Sequence, residues 1–295
     1  MQHRYNPLRI AGISITRWHQ TLRGVAITIA DQLEGARSTW SSPEQAARAA
    51  DQAVRDDLTA RGIRLERISC VSRASTESLE CVKALVAEDV PFLIVDLVSR
   101  MENYFDPIRA YDMPYVERGT GQWGVSLAIV LGTEPIVAAA RLPHHALTVT
   151  AVRGKHLWSD GEWHGYLRRR FPPSPRERIR IGLEWPWQAQ SPERRLEDVC
   201  HALHALQDFG DTKILGSPLV SATLVAMGVL DAIVHLGNDP YEQAASGLFL
   251  REAGALVTTA SNAPWDVLSS TMVAAAPKIH DAVMARLKAY SGWDD

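Results

Sequence analysis

Cysteine is scarce in this 295-residue chain: Cys70, Cys81 and Cys200 are its three thiols. An odd, sparse set builds no disulfide framework and suits a reducing compartment. Long apolar runs are missing too, and stretches such as 91–95 fall far short of the roughly 20 residues that span a bilayer. The chain does not open on a charged segment followed by an apolar one: residues 1–6 are polar, and Arg9, Arg17 and Arg23 interrupt the apolar residues beyond them. An excess of either charge is also lacking, with a formal net charge of −3, which argues against a general nucleic-acid or membrane-surface binder. Lysine stands only at 83, 155, 213, 278 and 288, so arginine supplies most of the positive charge. Such a bias more often reflects a GC-rich genome; the other reading is that arginine is the better fork for carboxylates and phosphates. What is present is ordinary: 46% hydrophobic and 22% charged residues exclude wholesale disorder and allow one large or two medium domains. The expectation is a cytoplasmic globular protein with no nucleic-acid and no membrane partner.

Residues 19–36 carry Leu22, Val25, Ala26, Ile29, Ala30 and Leu33 at helical spacing. A second helix opens with Ser42 as cap and Pro43 at its first position, then stops at Gly62. Strand patterns come next at 68–72, 91–95, 124–131 and 136–140, with a helical pattern at 76–88. The FPPSPR run at 171–176 is the best linker candidate, dividing the chain into 1–172 and 173–295. Beyond it, strands at 179–183, 230–236 and 256–259 alternate with helices at 193–209, 217–227, 241–253 and 275–290. The pattern predicts an α/β protein, with an α+β first half and an α/β second half.

Three stretches, taken in order, carry a resemblance. The strongest is GSPLVSATLVAMGVLDA at 216–232, followed by PYEQAAS at 240–246 and REAG at 251–254. The others are WGVSLAI at 123–129, with Pro143 and Gly154 after it, and RAAD at 48–51. Together they resemble the inositol monophosphatase-like superfamily, which also holds fructose-1,6-bisphosphatases and 3′-phosphoadenosine phosphatases. The resemblance runs from about residue 20 to the C-terminal end. It implies a layered αβαβα sandwich with the active site between its halves, Mg²⁺-dependent phosphomonoesterase chemistry and a homodimer. Such chemistry needs several carboxylates on converging loops, because Mg²⁺ is a hard cation that takes octahedral oxygen ligands. Two or three such ions activate a water and neutralise the phosphate.

The departures fall on the residues that matter for that chemistry. The first metal-ligand position of the resemblance is Thr76, while the following acid is kept as Glu77. The DPxDGTxNF motif matches DLVSRMENY at 96–104: Asp96 is kept, the second acid is Ser99, and the Gly-Thr pair is Arg100 and Met101. The ligand Asp of PWDxAAG becomes Glu242, and the substrate-contacting acid seven positions earlier becomes His235. A second register puts DPIR at 106–109 on the central motif, with Arg109 in place of its second acid. Asp96 is preferred because an apolar strand precedes it, and either register removes the second acid.

These positions set the candidate roles. Asp96, Glu242 and His235 are the expected catalytic residues; Ser99, Arg100, Arg109, Gly216 and Ser217 the expected substrate-binding ones. A retained metal would sit on Glu77, Asp96 and Glu242, with Asp51 and Thr76 in its outer shell. Carboxylates buried without a cation suit proton transfer near neutrality; the alternative is that they are relics satisfied by neighbours. His235 is an acid–base group, a substrate ligand or a structural histidine. Arg100 and Arg109 either replace the metal's charge or lie on a solvated loop. The helix opening at Pro240 is expected to offer free backbone N–H groups to an anion. The leading expectation is an enzyme repurposed for acid–base work (elimination, cyclisation or isomerisation) on a small anionic or polyhydroxylated substrate, with no cofactor. The alternatives are a Mg²⁺-dependent phosphomonoesterase and a non-catalytic binding homologue.

Overall fold

The computed structural model describes residues 9–36, 43–72, 79–97, 122–160, 162–164, 178–185, 192–237 and 239–288. Thr76, Glu77, Ser99, Arg100 and Arg109 lie outside these residues, as does the junction expected at 171–176.

Among the described residues, two large sheets and three layers of helix build the fold. The larger sheet has seven strands: β3 (Ser69–Ser72), β4 (Phe92–Asp96), β5 (Val125–Leu131), β6 (Glu134–Leu142), β7 (Leu147–Val152), β8 (Leu157–Ser159) and β9 (Glu162–His164). They lie in chain order, antiparallel except for the β3–β4 pair. A short hairpin of β1 (Arg9–Ile10) and β2 (Ile13–Ser14) precedes them. The smaller sheet contains β10 (Ile179–Glu184), β11 (Gly210–Lys213), β12 (Ala232–His235), β13 (Leu256–Thr258) and β14 (Met272–Ala275), in the order β11-β10-β12-β14-β13.

Helix α1 (Ile15–Ala36) covers the outer face of the large sheet, because its buried residues recur every three or four positions from Trp18 to Leu33. Helix α2 (Pro43–Ala60) packs beside α1, and α3 (Leu79–Ala87) joins β3 to β4. Helices α4 (Pro192–Leu206) and α7 (Pro277–Lys288) cover the outer face of the small sheet. Between the sheets lie α5 (Pro218–Ala226) and α6 (Pro240–Glu252), buried against both inner faces in one continuous core. The result is the expected αβαβα sandwich.

Helix α6 is the keystone. It is buried without interruption from Pro240 to Leu250, packed across β4–β7 on one side and in contact with α5. Its large apolar side chains, such as Leu248 and Phe249, each contribute roughly 1.5–3 kcal/mol by burial. Its far end is tied to the large sheet through two charged residues. Arg251 reaches Glu134 at 2.5 Å. Glu252 accepts hydrogen bonds from three successive backbone N–H groups, of Gly154, Lys155 and His156, at 2.8, 3.1 and 2.8 Å.

Some strands escape the sequence pattern. Strand β11 is a polar edge strand, and β7 to β9 form short hairpins that carry no strong apolar run. The predicted helix from Ala275 is corrected: Ala275 closes β14, and α7 begins at Pro277. A buried, alanine-rich strand looks helical by composition, and Pro277 at the first helical turn marks the true boundary. Among the described residues, no helix is long and apolar enough to cross a membrane.

Candidate active site

A helix buried on all sides should be apolar throughout, yet α6 carries Glu242, Gln243 and Ser246 in its first two turns. Each such group must find a partner inside the protein. Ser246 donates to the Glu242 carbonyl at 2.7 Å. The helix start is fully used by its own cap. Asp239 Oδ1 accepts from the N–H groups of Tyr241 and Glu242 at 3.0 and 3.5 Å, and the Asp239 carbonyl accepts from Gln243 N at 3.0 Å. Pro240 has no N–H. The expectation of free N–H groups for an anion at this helix start is therefore corrected: a carboxylate of the chain itself occupies them.

The strand facing that helix start ends in His235, which is fully buried. Its Nε2 stands 3.9 Å from Glu242 Oε2, an ion-pair distance too long for a direct hydrogen bond. Its Nδ1 lies 3.3 Å from Gln243 Nε2. The Gln243 amide is held twice more: Nε2 donates to the Gly237 carbonyl at 2.5 Å, and Oε1 accepts from Trp265 Nε1 at 3.1 Å. Directly across the β10–β12 ladder from His235 is Glu184, also buried. Glu184 Oε1 accepts from the Ser221 hydroxyl at 2.6 Å and from Leu215 N at 3.1 Å.

Of the residues expected from sequence, the structure thus brings His235 and Glu242 together. Asp96 is buried at the end of β4. Phe92 and Ile94 belong to the central core and Leu93 and Val95 to the outer one, so strand alternation turns Asp96 toward the α5–α6 layer. Gly216 takes φ +71°, a conformation glycine adopts at little cost. Ser217, next to it, caps α5 by accepting from Val220 N at 3.3 Å. Asp51 pairs with Arg55 at 2.9 Å on α2, and Arg55 in turn reaches the Cys70 carbonyl at 3.3 Å. Glu184, Gln243 and Trp265 are polar participants that sequence reasoning misses. Glu184 gives the same signal as Asp96, an acid closing an apolar strand. Gln243 and Trp265 give none, since 22 positions separate them.

The family model that describes the inositol monophosphatase family matches residues 114–291. The chain belongs to that family. Among curated members, an inositol-1-monophosphatase, ImpA, of Mycolicibacterium smegmatis is 27% identical over 173 residues, 58% of this chain and 60% of that protein. A fructose-1,6-bisphosphatase/inositol-1-monophosphatase of Aquifex aeolicus is 25% identical over 173 residues, 57% of this chain and 60% of that protein. The match therefore spans about 60% of these relatives' length. The fold likeness is wider. A SuhB structure from Bartonella henselae superposes with TM-score 0.70 at 17% identity, covering 91% of this chain and 98% of that one. An inositol monophosphatase from Anabaena superposes with TM-score 0.70 at 16% identity, covering 95% and 98%.

Membership in the inositol monophosphatase family raises the question of Mg²⁺. Among the described residues, no three His, Cys, Asp or Glu side chains form a group able to hold a metal ion. Asp96 and Glu242 are the described carboxylates of the implied set; Glu77 lies outside the described residues. Magnesium asks for near-octahedral oxygen, whereas the side chain set against Glu242 is an imidazole. This described set does not amount to a magnesium site.

Proposed function

We propose that this member of the inositol monophosphatase family is a small-molecule enzyme performing acid–base chemistry between its two sheets. The substrate class is anionic or polyhydroxylated, and the reaction an elimination, cyclisation or isomerisation that needs no Mg²⁺ cluster. The observation that carries this reading is the approach of the His235 ring to within 3.9 Å of Glu242 at a buried helix start. Burying an acid is costly unless it is paired and hydrogen-bonded, so an acid at a buried helix start must have partners close by. Asp96, at the end of β4, and Glu242, in the first turn of α6, are the proton carriers, and His235 lies beside the second. Water excluded from such a layer strengthens every electrostatic contact within it.

The test is a turnover screen of small sugar, cyclitol and nucleotide phosphates and their dephosphorylated forms, run in excess chelator and in Mg²⁺. Product formed equally well in chelator, and lost in Glu242→Gln, supports the reading. Phosphate release only with Mg²⁺, at enzyme-like rates on the order of 1–10³ per second, overturns it. That outcome would favour the second reading, a Mg²⁺-dependent phosphomonoesterase, for which the acid side chains at 96 and 242 speak. We also propose a homodimer, which light scattering at micromolar concentration would contradict by returning the 32.6 kDa chain mass.

A further inference from the structure

We propose that Gln243 is a positioning residue: it holds His235 as the neutral tautomer with its proton on Nε2, so that the site presents an N–H donor beside Glu242.

The constraint starts at Trp265 and passes inward. An indole N–H can only donate, and Trp265 Nε1 points at Gln243 Oε1, 3.1 Å away. A backbone carbonyl can only accept, and the Gly237 oxygen lies 2.5 Å from Gln243 Nε2. These two contacts fix which end of the amide is oxygen, because the flipped amide would set donor against donor and acceptor against acceptor. The amide NH₂ therefore also faces His235 Nδ1, 3.3 Å away. Nδ1 must supply a lone pair, and the ring proton of the neutral imidazole goes to Nε2. A doubly protonated ring would turn Nδ1–H against that NH₂. His235 and Gln243 have no exposure and Trp265 has 1%, so bulk solvent does not reach the ring to relieve such a conflict.

Trp265 is itself held rigidly. A Cβ at Gly247 would come within 2.1 Å of the indole ring, so only glycine leaves room for it. From another side the Arg251 guanidinium sits 5.0 Å from the ring centroid and donates to the Trp265 carbonyl. Arg251, Trp265, Gln243 and His235 form one chain of contacts ending at Glu242.

The tautomer stands on this geometry alone; its consequence rests on the proposed function. His235 is then a hydrogen-bond donor and not a proton carrier, leaving proton transfer to the carboxylates. The ligand atom it meets is an acceptor: an oxygen of a carboxylate, a phosphate or a hydroxyl group.

The test is a long-range ¹H–¹⁵N spectrum of the full chain labelled on histidine, without substrate, with His235 assigned by its absence in His235→Gln. Expected is Nδ1 in the unprotonated and Nε2 in the protonated nitrogen region at neutral pH. Gln243→Glu, whose carboxylate accepts from Nδ1–H, should move the proton to Nδ1 or charge the ring. Trp265→Phe, which removes one of the two contacts that fix the amide, should let part of the population flip and give a minor Nδ1-protonated form, and serves if the first variant does not fold. A wild-type ring protonated at Nδ1 overturns the proposal, and so does a pattern that neither variant alters. Activity plays no part in this readout, so failure of the proposed reaction would leave the tautomer standing, and the reverse.

Discussion

Two buried acids, Glu184 and Glu242, flank the same histidine from different elements, and they differ in what surrounds them. Glu184 is held by α5 and the loop before it: a hydroxyl at 2.6 Å and a backbone N–H at 3.1 Å both point at one oxygen. Glu242, at the start of α6, stands 3.9 Å from an imidazole nitrogen whose other side is locked by an amide. Short, neutral donors satisfy a carboxylate and make it structural. On the proposed function, Glu184 beside α5 serves the fold and Glu242 at the start of α6 serves the chemistry.

The strongest way to break that assignment is to neutralise the acid at the α6 start. Glu242→Gln should lower turnover by about 10²-fold or more, the usual scale of acid–base contributions, with a nearly unchanged melting temperature. Asp96→Asn should behave alike. If both variants retain turnover, or fail to fold, these carboxylates belong with Glu184 on the structural side.

Next in size is the support beneath the locked amide. Gly247→Ala puts a methyl group where the Trp265 ring lies, within 2.1 Å. Overpacking of this kind costs about 1–3 kcal/mol, readable as a lower midpoint in denaturant. Displacing the indole also loosens Gln243, so turnover should fall further than stability explains. A variant that loses stability but keeps full turnover would show that the chain from Trp265 to His235 serves packing alone.

Glu184→Leu sharpens the other side. It strands the Ser221 hydroxyl and the Leu215 N–H in the interior, at a cost of about 1–3 kcal/mol. Glu184→Gln keeps an acceptor and should recover part of that loss. Chemical denaturation measures both, and turnover per folded molecule should stay close to wild type. A large loss of turnover in Glu184→Gln would move Glu184 into the site.

The layered fold is legible in the sequence because its boundaries are written in residues with one physical use. Pro43 and Pro240 stand at the first positions of α2 and α6, and an apolar run carries β4 into Asp96. Motif spacing points to His235 and Glu242, and they do meet. The family match begins at residue 114, so Asp96 lies outside it; there the resemblance rests on a strand and scattered identities. The amide lock is not legible, since no local pattern joins a glutamine on a helix to a tryptophan in a distant loop. The occupied helix start escapes sequence for a related reason. Asp239 has the chemistry of a cap, but that a cap consumes the very N–H groups an anion would need is a statement about geometry.

The smallest effect concerns a second buried histidine, His280 on α7, which sharpens the contrast by lying away from the proposed chemistry. Its Nε2 lies 2.8 Å from Thr258 Oγ1, which also reaches the Thr259 carbonyl at 3.0 Å. His280 is on the outer side of the small sheet, far in the layering from α6. Burial lowers its pKa from the ordinary 6.5, while Asp281 and the Val273 backbone pull in the opposite direction. With the folded-state pKa depressed, the unfolded chain binds the proton first. His280 thus contributes stability above about pH 6.5 that is lost as pH falls through the lower, folded value. Its replacement by Gln, which still offers Thr258 a hydrogen bond, should flatten the decline of melting temperature as pH falls from about 7 to about 5. Turnover at neutral pH should not change. If the two proteins lose stability in parallel over that range, the ring takes up its proton equally in the folded and unfolded chain, and burial does not depress its pKa.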